Sequence, residues 1–382
     1  MSTPTAWDTL AGQYQLQPGK HPGVVGQRPV LGAGRLARLL AGQRGEQVGQ
    51  TLTSVFTLCA HAHLRTAALA LTAAQSGSDA PPAAETPVLL WVETARDHLR
   101  SIALDWPQRQ AGASSDAQSM AWLRDCPLPL ASGKTSADAA SAWQTLAALR
   151  TWLEERILHQ PVSDWLDAHR QADALADWCT AQATRLPPAR CLANWHTRAN
   201  SLTPDSHFLQ VLDLDPARQA AQLRQLAQTL VHDPDFVQRP TWRSQCAENG
   251  PWARLRHGPT LASNRHSAWT RLAARWFELL ELAAATPDTD RAGAAPLLSS
   301  GALALADGQA LAWSEMARGL LLHWVQLDGN GGVMDYRVLA PTEWNFHPAG
   351  ALARAVAALA PDDTETARML ASAYDPCVTC TV

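Results

Sequence analysis

Two cysteines, Cys377 and Cys380, stand in the last stretch of the sequence, YDPCVTCTV, and Cys59, His61 and His63 fall within five residues in FTLCAHAHL. Thiolates and imidazoles are the ligands that zinc, iron and other borderline or soft metals select. A C-x-x-C pair can also close a disulfide or act as a redox couple. As half of a zinc site it would need two more close ligands, which the 59–63 stretch could supply. Read as ordinary structure, that stretch is a helix start with one buried cysteine and histidines facing solvent. Cys126, Cys179, Cys191 and Cys246 are scattered singly, as small buried hydrophobes are.

Composition limits what such a site can serve. The 382 residues carry a net charge of -4, so there is no basic footprint for nucleic acid, and lysine is too scarce for a polybasic membrane patch. No apolar run approaches the roughly 18 residues of a membrane span. The N-terminal MSTPTAWDTLAGQYQL has neither a charged nor an apolar leader region, so the expected location is the cytoplasm. In that reducing compartment an odd set of seven cysteines points to metal or redox use rather than structural disulfides. Hydrophobic residues make up 46% of the chain, with 16 Trp, enough to fill a large core, while charged residues are only 17%.

Helices must position most of this chemistry. TPVLLWVETARDHLRSIALDW has Thr86 as a candidate cap, Pro87 at the first helical position, and Val88, Val92, Ala95, Leu99 and Ile102 on one stripe. The same spacing recurs at Trp143, Leu146, Leu149, Leu153 and Ile157, and at Trp269, Leu272, Trp276 and Leu279. Ser, Gly, Pro and Ala-rich stretches at about 76–86, 110–119, 131–138 and 286–296 read as exposed connections. Strand character is concentrated late, where LLLHWVQL and VMDYRVLAP flank DGNGG and predict a hairpin. The expected class is α+β, predominantly helical, with a small β element in the C-terminal third.

Four stretches taken in order resemble the large subunit of nickel-iron hydrogenases. FTLCAHAH, residues 56–63, is similar to that family's proximal CxxCxxxH motif, with Phe56 at the first cysteine position, Cys59 at the second and His63 at the histidine. ENGPWARL at 248–255, with the following SAWTRLAARWFELLEL, looks like its middle segment. SEMARGLLLHWVQLDGNGGVMDYRVLAPTEWNFHP resembles the EAPRGxxxHW hairpin and PTxWNxxP motif, and YDPCVTC the distal DPCxxCxxH motif. The resemblance implies a single unit over 1–382, with a proximal region at about 35–75, a helical middle at about 86–285 and a hairpin and distal region at about 297–382.

Carried over residue by residue, the resemblance makes Cys59 and Cys380 the sulfurs that hold iron, and Cys377 a ligand of nickel alone. Arg318 in MARG and Thr342 in APTEW, with Pro341 and His63 beside them, would face the iron's two cyanides, which accept hydrogen bonds. His323 lines the hairpin beside Trp324. The second nickel-only position is Phe56, whose phenyl ring cannot donate a thiolate, so no nickel is expected. The family's distal histidine, its cleavable tail and its N-terminal RxxEGH motif have no counterpart in the sequence. This pattern resembles the accessory proteins of the HupK/HoxV type. The implied role is a non-catalytic scaffold for the Fe(CN)2(CO) fragment, received from a maturation complex and handed to the apo large subunit. A short end of chain beyond the thiols would let the site open and close without unfolding a core. Two other readings stay open: a divergent catalytic large subunit, and a docking protein for maturation factors with a redox or zinc C-x-x-C.

Overall fold

A computed structural model describes residues 11–382 apart from 33, 79–86, 111–119, 132–137, 234, 259–260, 262, 264 and 289–296. The longer helices are α1 (Ala60–Ser76), α2 (Val88–Arg100), α3 (Ala139–Trp152), α4 (Pro187–Ser201), α5 (Pro216–His232) and α6 (Ala268–Ala284). Two more, α7 (Pro341–Asn345) and α8 (Thr364–Tyr374), follow the sheet. The Ser267 side chain caps α6 by accepting the Thr270 N–H. Trp269, Leu272, Trp276 and Leu279 of α6 are buried, but so are Arg271, Arg275 and Glu278, and a helix covered on every side belongs at the centre of a core. Helices α2, α3, α4 and α8 pack around it. Its charges are compensated: Arg271 meets Glu248 at 2.6 Å, Arg275 meets Asp375 at 3.2 Å, and Glu278 receives Arg254 at 2.7 Å and His98 at 2.6 Å.

The apolar stripes read from the sequence line this core: Val88, Val92, Ala95, Leu99 and Ile102 are all buried, as are Leu146, Leu149, Leu153 and Ile157. Pro87 stands just before the first helical residue, not within the helix. Thr86 and most of the expected connections lie outside the described residues.

Among the strands, β1 (Gln13–Leu16) and β2 (Val24–Gln27) pair antiparallel, and β3 (His207–Phe208) and β4 (Ala247–Glu248) pair parallel. An antiparallel sheet follows the order β5 (Ser300–Ala306), β6 (Gln309–Met316), β7 (Gly319–Leu327) and β8 (Val333–Leu339). The expected hairpin is β7–β8, and the sheet adds β5 and β6, joined by a turn at Asp307–Gly308 in which Gly308 takes φ +68°. Side chains alternate between two cores. Leu320, Leu322 and Trp324 enter one with Leu223, Leu226 and Leu230 of α5, and Leu321 and Val325 enter the other. Helix α1 lies across the second face, against β5, β6 and β7. Its alanines 62, 67, 70 and 73 are buried there.

The final strand, β9 (Thr379–Thr381), returns to the start of the chain and pairs parallel with β1, Cys380 opposite Tyr14. The C-terminal thiols therefore lie on a paired strand and the turn before it, which corrects the expectation of a loose end. Among the described residues no helix is long and apolar enough to cross a membrane.

Candidate thiol site

Cys59 is the residue before α1 and is 5% exposed. The first turn of α1 is held from α2, where the Glu93 carboxylate accepts the His61 and Ala62 N–H groups, both at 2.8 Å. Arg96 donates to the Leu58 carbonyl at 2.7 Å. Burial, and then the neighbouring Asp97, raise the Glu93 carboxyl to about 7 in spite of those donors. Burial also pushes the Cys59 thiol well up, with the Cys377 charge acting next and Arg318 opposing both.

Arg318 is carried by the tight turn between β6 and β7, where Met316 pairs with Gly319. Gly319 is required by geometry: its φ is +131°, and a Cβ there would lie 1.4 Å from Asn249 Oδ1, the acceptor of the Leu320 N–H. The Arg318 guanidinium is 1% exposed and pairs with Asp97 at 3.0 Å and Asp375 at 3.3 Å. Asp375 also accepts from Ser101 Oγ at 2.9 Å. Burial alone would raise Asp375, but Arg275, Arg318 and Arg109 overcome it and hold the carboxyl at about 2.

Asp375 opens the segment that carries Cys377. The Cys377 sulfur lies 3.2 Å from Thr342 Oγ1, at the start of α7, where Pro341 fills the first helical position. The fold thus brings the buried Cys59, Arg318 and Thr342 and the half-buried Cys377 into one neighbourhood. Cys380 faces a different charge, Arg109, and burial pushes its thiol up to about 11. Among the described residues no three His, Cys, Asp or Glu side chains gather at metal-ligand spacing, so the three cysteines are not a preformed three-sulfur set.

His63 does not face solvent. It is 1% exposed, stacked on Phe56 with ring centroids 3.9 Å apart, and its Nδ1 is 3.0 Å from His323 Nε2. His323 Nδ1 continues the chain to the Tyr336 hydroxyl at 2.7 Å. Burial holds both imidazoles neutral, His323 at about 3 and His63 well below its usual value. One proton per contact then suffices for the whole relay.

Sequence reasoning missed Arg28. It follows β2, is 5% exposed, lies over the Phe56 ring at 5.3 Å and sits 3.6 Å from Glu343. Tyr14 donates to the same carboxylate at 3.4 Å. Burial opposes the Arg28 charge, but Cys377 first, then Glu343, Tyr14 and Cys59, more than offset it. Among the described residues the Nε atom of Arg28 is buried without a hydrogen-bond partner, while that of Arg318 is the one 3.3 Å from Asp375. Two thiols with two buried guanidiniums near them, one with a free Nε, suit an anionic, hydrogen-bond-accepting group better than a bare cation. No local pattern in GQRPVLG announces this role. Of the four single cysteines, Cys179 and Cys191 are buried as expected, whereas Cys126 and Cys246 are half-buried, Cys246 with its sulfur 3.2 Å from His347 Nδ1.

Residues 258–382 match the family model for nickel-dependent hydrogenase. The solved structure of an NAD+-reducing NiFe hydrogenase in the H2-reduced state is similar at 16% identity, covering 93% of this chain and 92% of that one, with a TM-score of 0.48. The NiFeSe hydrogenase of Dm. baculatum gives 15% identity, 92% of each chain and a TM-score of 0.49. Among curated proteins, the hydrogenase expression/formation protein HupK of Bradyrhizobium diazoefficiens is 27% identical over 90% of this chain and 88% of its own. The hydrogenase expression/formation protein HoxV of Cupriavidus necator is 40% identical over 98% of this chain and 95% of its own. On that likeness the chain belongs to the HoxV and HupK family of hydrogenase expression/formation proteins.

Proposed function

We propose that this protein is a cytoplasmic assembly factor that carries the Fe(CN)2(CO) fragment on cysteine thiolates before transfer to an apo hydrogenase large subunit. The observation that carries the reading is the shared neighbourhood of the buried Cys59 and the half-buried Cys377, with Arg318 and the Thr342 hydroxyl beside them. Cys59 and Cys377 would take the fragment first, and Cys380, three residues beyond Cys377 on β9, would complete the grip. Cyanide nitrogens accept hydrogen bonds, and the buried Arg318 guanidinium and Thr342 hydroxyl are donors. Because burial keeps the Cys59 thiol protonated, loading must release its proton. A carrier with few anchoring sulfurs can exchange its Fe–S bonds with an acceptor. Phe56 leaves the proximal segment one sulfur short of a nickel-iron set, which supports a role outside hydrogen turnover. The partners on this reading are a maturation complex that donates the fragment and the large subunit that receives it.

Infrared spectroscopy of protein purified anaerobically from a hydrogenase-competent host tests the proposal. Carbonyl and cyanide stretching bands are expected in the unmutated protein and are expected to vanish in Cys59→Ala. Their absence from the unmutated protein would leave only a docking role.

A further inference from the structure

The resemblance places Phe56 where the related large subunits hold nickel with a cysteine, and the structure sets a fixed positive charge against that same ring. The Arg28 guanidinium lies 5.3 Å from the Phe56 centroid. Glu343, next in the chain to Thr342 and 3.6 Å from Arg28, anchors it from α7, and Thr342 in turn touches the Cys377 sulfur. Pro29, immediately after, begins a short 3-10 turn, so the backbone behind Arg28 is restricted as well. Of the charges acting on Arg28, Cys377 is the strongest and Cys59 also contributes.

We infer that Arg28 is the specificity residue that keeps a divalent ion such as nickel off the Cys59 and Cys377 sulfurs, acting as a built-in counter-cation in the space beside Phe56. Phe56 removes a ligand, but a missing ligand alone only weakens a thiolate site, since a water or carboxylate can take its place. A buried guanidinium acts differently. It compensates thiolate charge without forming a bond to sulfur, and it repels any second cation that approaches. An iron fragment that brings its own cyanide anions would escape this penalty, because a guanidinium attracts such ligands and can donate hydrogen bonds to them. Glu343 fixes the arrangement, since moving Arg28 away would strand a carboxylate that is 1% exposed.

The test is nickel uptake by apo protein made without hydrogenase machinery, so it does not depend on whether the iron fragment is carried. Phe56→Cys, Phe56→Cys/Arg28→Lys and Phe56→Cys/Arg28→Gln are incubated anaerobically with Ni2+, desalted and analysed for bound metal. The Gln double variant is expected to retain about one equivalent and to bind at least about tenfold more tightly than the other two. Equal affinity across the three, or no uptake by a folded Gln double variant, would overturn the assignment. Where that variant does not fold, Arg28→Gln and Arg28→Lys are titrated with Cd2+ at the existing sulfurs. Tighter binding to the Gln form supports the assignment, and equal binding overturns it.

Discussion

Arg318 Nη1 stands 3.0 Å from Asp97 Oδ2, joining a hairpin turn to α2 across 221 positions of sequence, with both side chains at most 3% exposed. A pair this deep adds little net stability, because desolvating both charges offsets most of their attraction. Its value lies in position: it holds one guanidinium at a fixed place beside Cys59.

Breaking the pair from the arginine side is expected to be costly. Arg318→Met leaves Asp97 and Asp375 buried with reduced compensation, and urea unfolding should show a loss of about 3–5 kcal/mol. Asp97→Asn should cost less, since Arg318 keeps Asp375 at 3.3 Å. Equal losses for the two variants would mean that Arg318 is not the hub of the network.

The turn that presents Arg318 makes a second demand. Gly319→Ala would place a Cβ on Asn249 Oδ1 and force φ +131° on an alanine. The expected loss is about 2 kcal/mol or more, read by thermal unfolding. Gly319→Ala/Asn249→Ala relieves the clash but not the backbone strain, so it should recover only part of that loss. Full recovery would show that the strain is negligible.

Much of this was legible in the sequence, and the limits have physical causes. The stripes ending at Ile102 and Ile157 gave the helical core because period 3.6 is a local signal. The β7–β8 hairpin was equally local. Strands β5 and β6 were missed because SGALALA and QALAW are rich in alanine, which favours helix, although Asp307–Gly308 between them is a strong turn signal. The parallel pairing of β9 with β1 has no local signature, since the two strands come from opposite ends of the chain. At the site, Cys59, Cys377, Arg318 and Thr342 were named from motifs. Glu93, Arg96 and Asp97 of α2 fall in no motif, yet all three are buried, Glu93 and Arg96 holding the start of α1 and Asp97 pairing with Arg318. Arg28 sits in no motif, and only the fold reveals that it stands over Phe56.

The β1–β9 pairing should govern how the terminal thiols react. Burial pushes Cys380 up to about 11, so its alkylation by iodoacetamide at pH 8 is expected to be slow. Thr379→Pro/Thr381→Pro removes the donors a paired strand needs and should free Cys380 from its place opposite Tyr14. Peptide mass spectrometry should then show labelling faster by about tenfold or more, as the thiol relaxes toward its solvent value of about 8.5. An unchanged rate would show that the pairing does not protect Cys380.

The histidine relay predicts a specific acid sensitivity. Burial holds His323 at about 3, whereas an unfolded histidine titrates near 6.5. Between those values the unfolded chain binds a proton that the folded chain does not. Stability from this group is therefore complete above about 6.5 and is lost as the pH falls toward 3. Glu93, raised to about 7, works in the opposite direction, because the folded chain keeps a proton that the unfolded chain releases above about 4.5. Comparing His323→Gln with the unmutated protein cancels that and every other carboxyl contribution. The glutamine variant should start less stable at pH 7, having lost the contacts to His63 and Tyr336. Between pH 7 and pH 4.5, however, it should lose about 2 kcal/mol less than the unmutated protein, as measured by urea unfolding across that range. Parallel stability curves for the two proteins would mean that His323 takes up its proton in the folded state as readily as in the unfolded one.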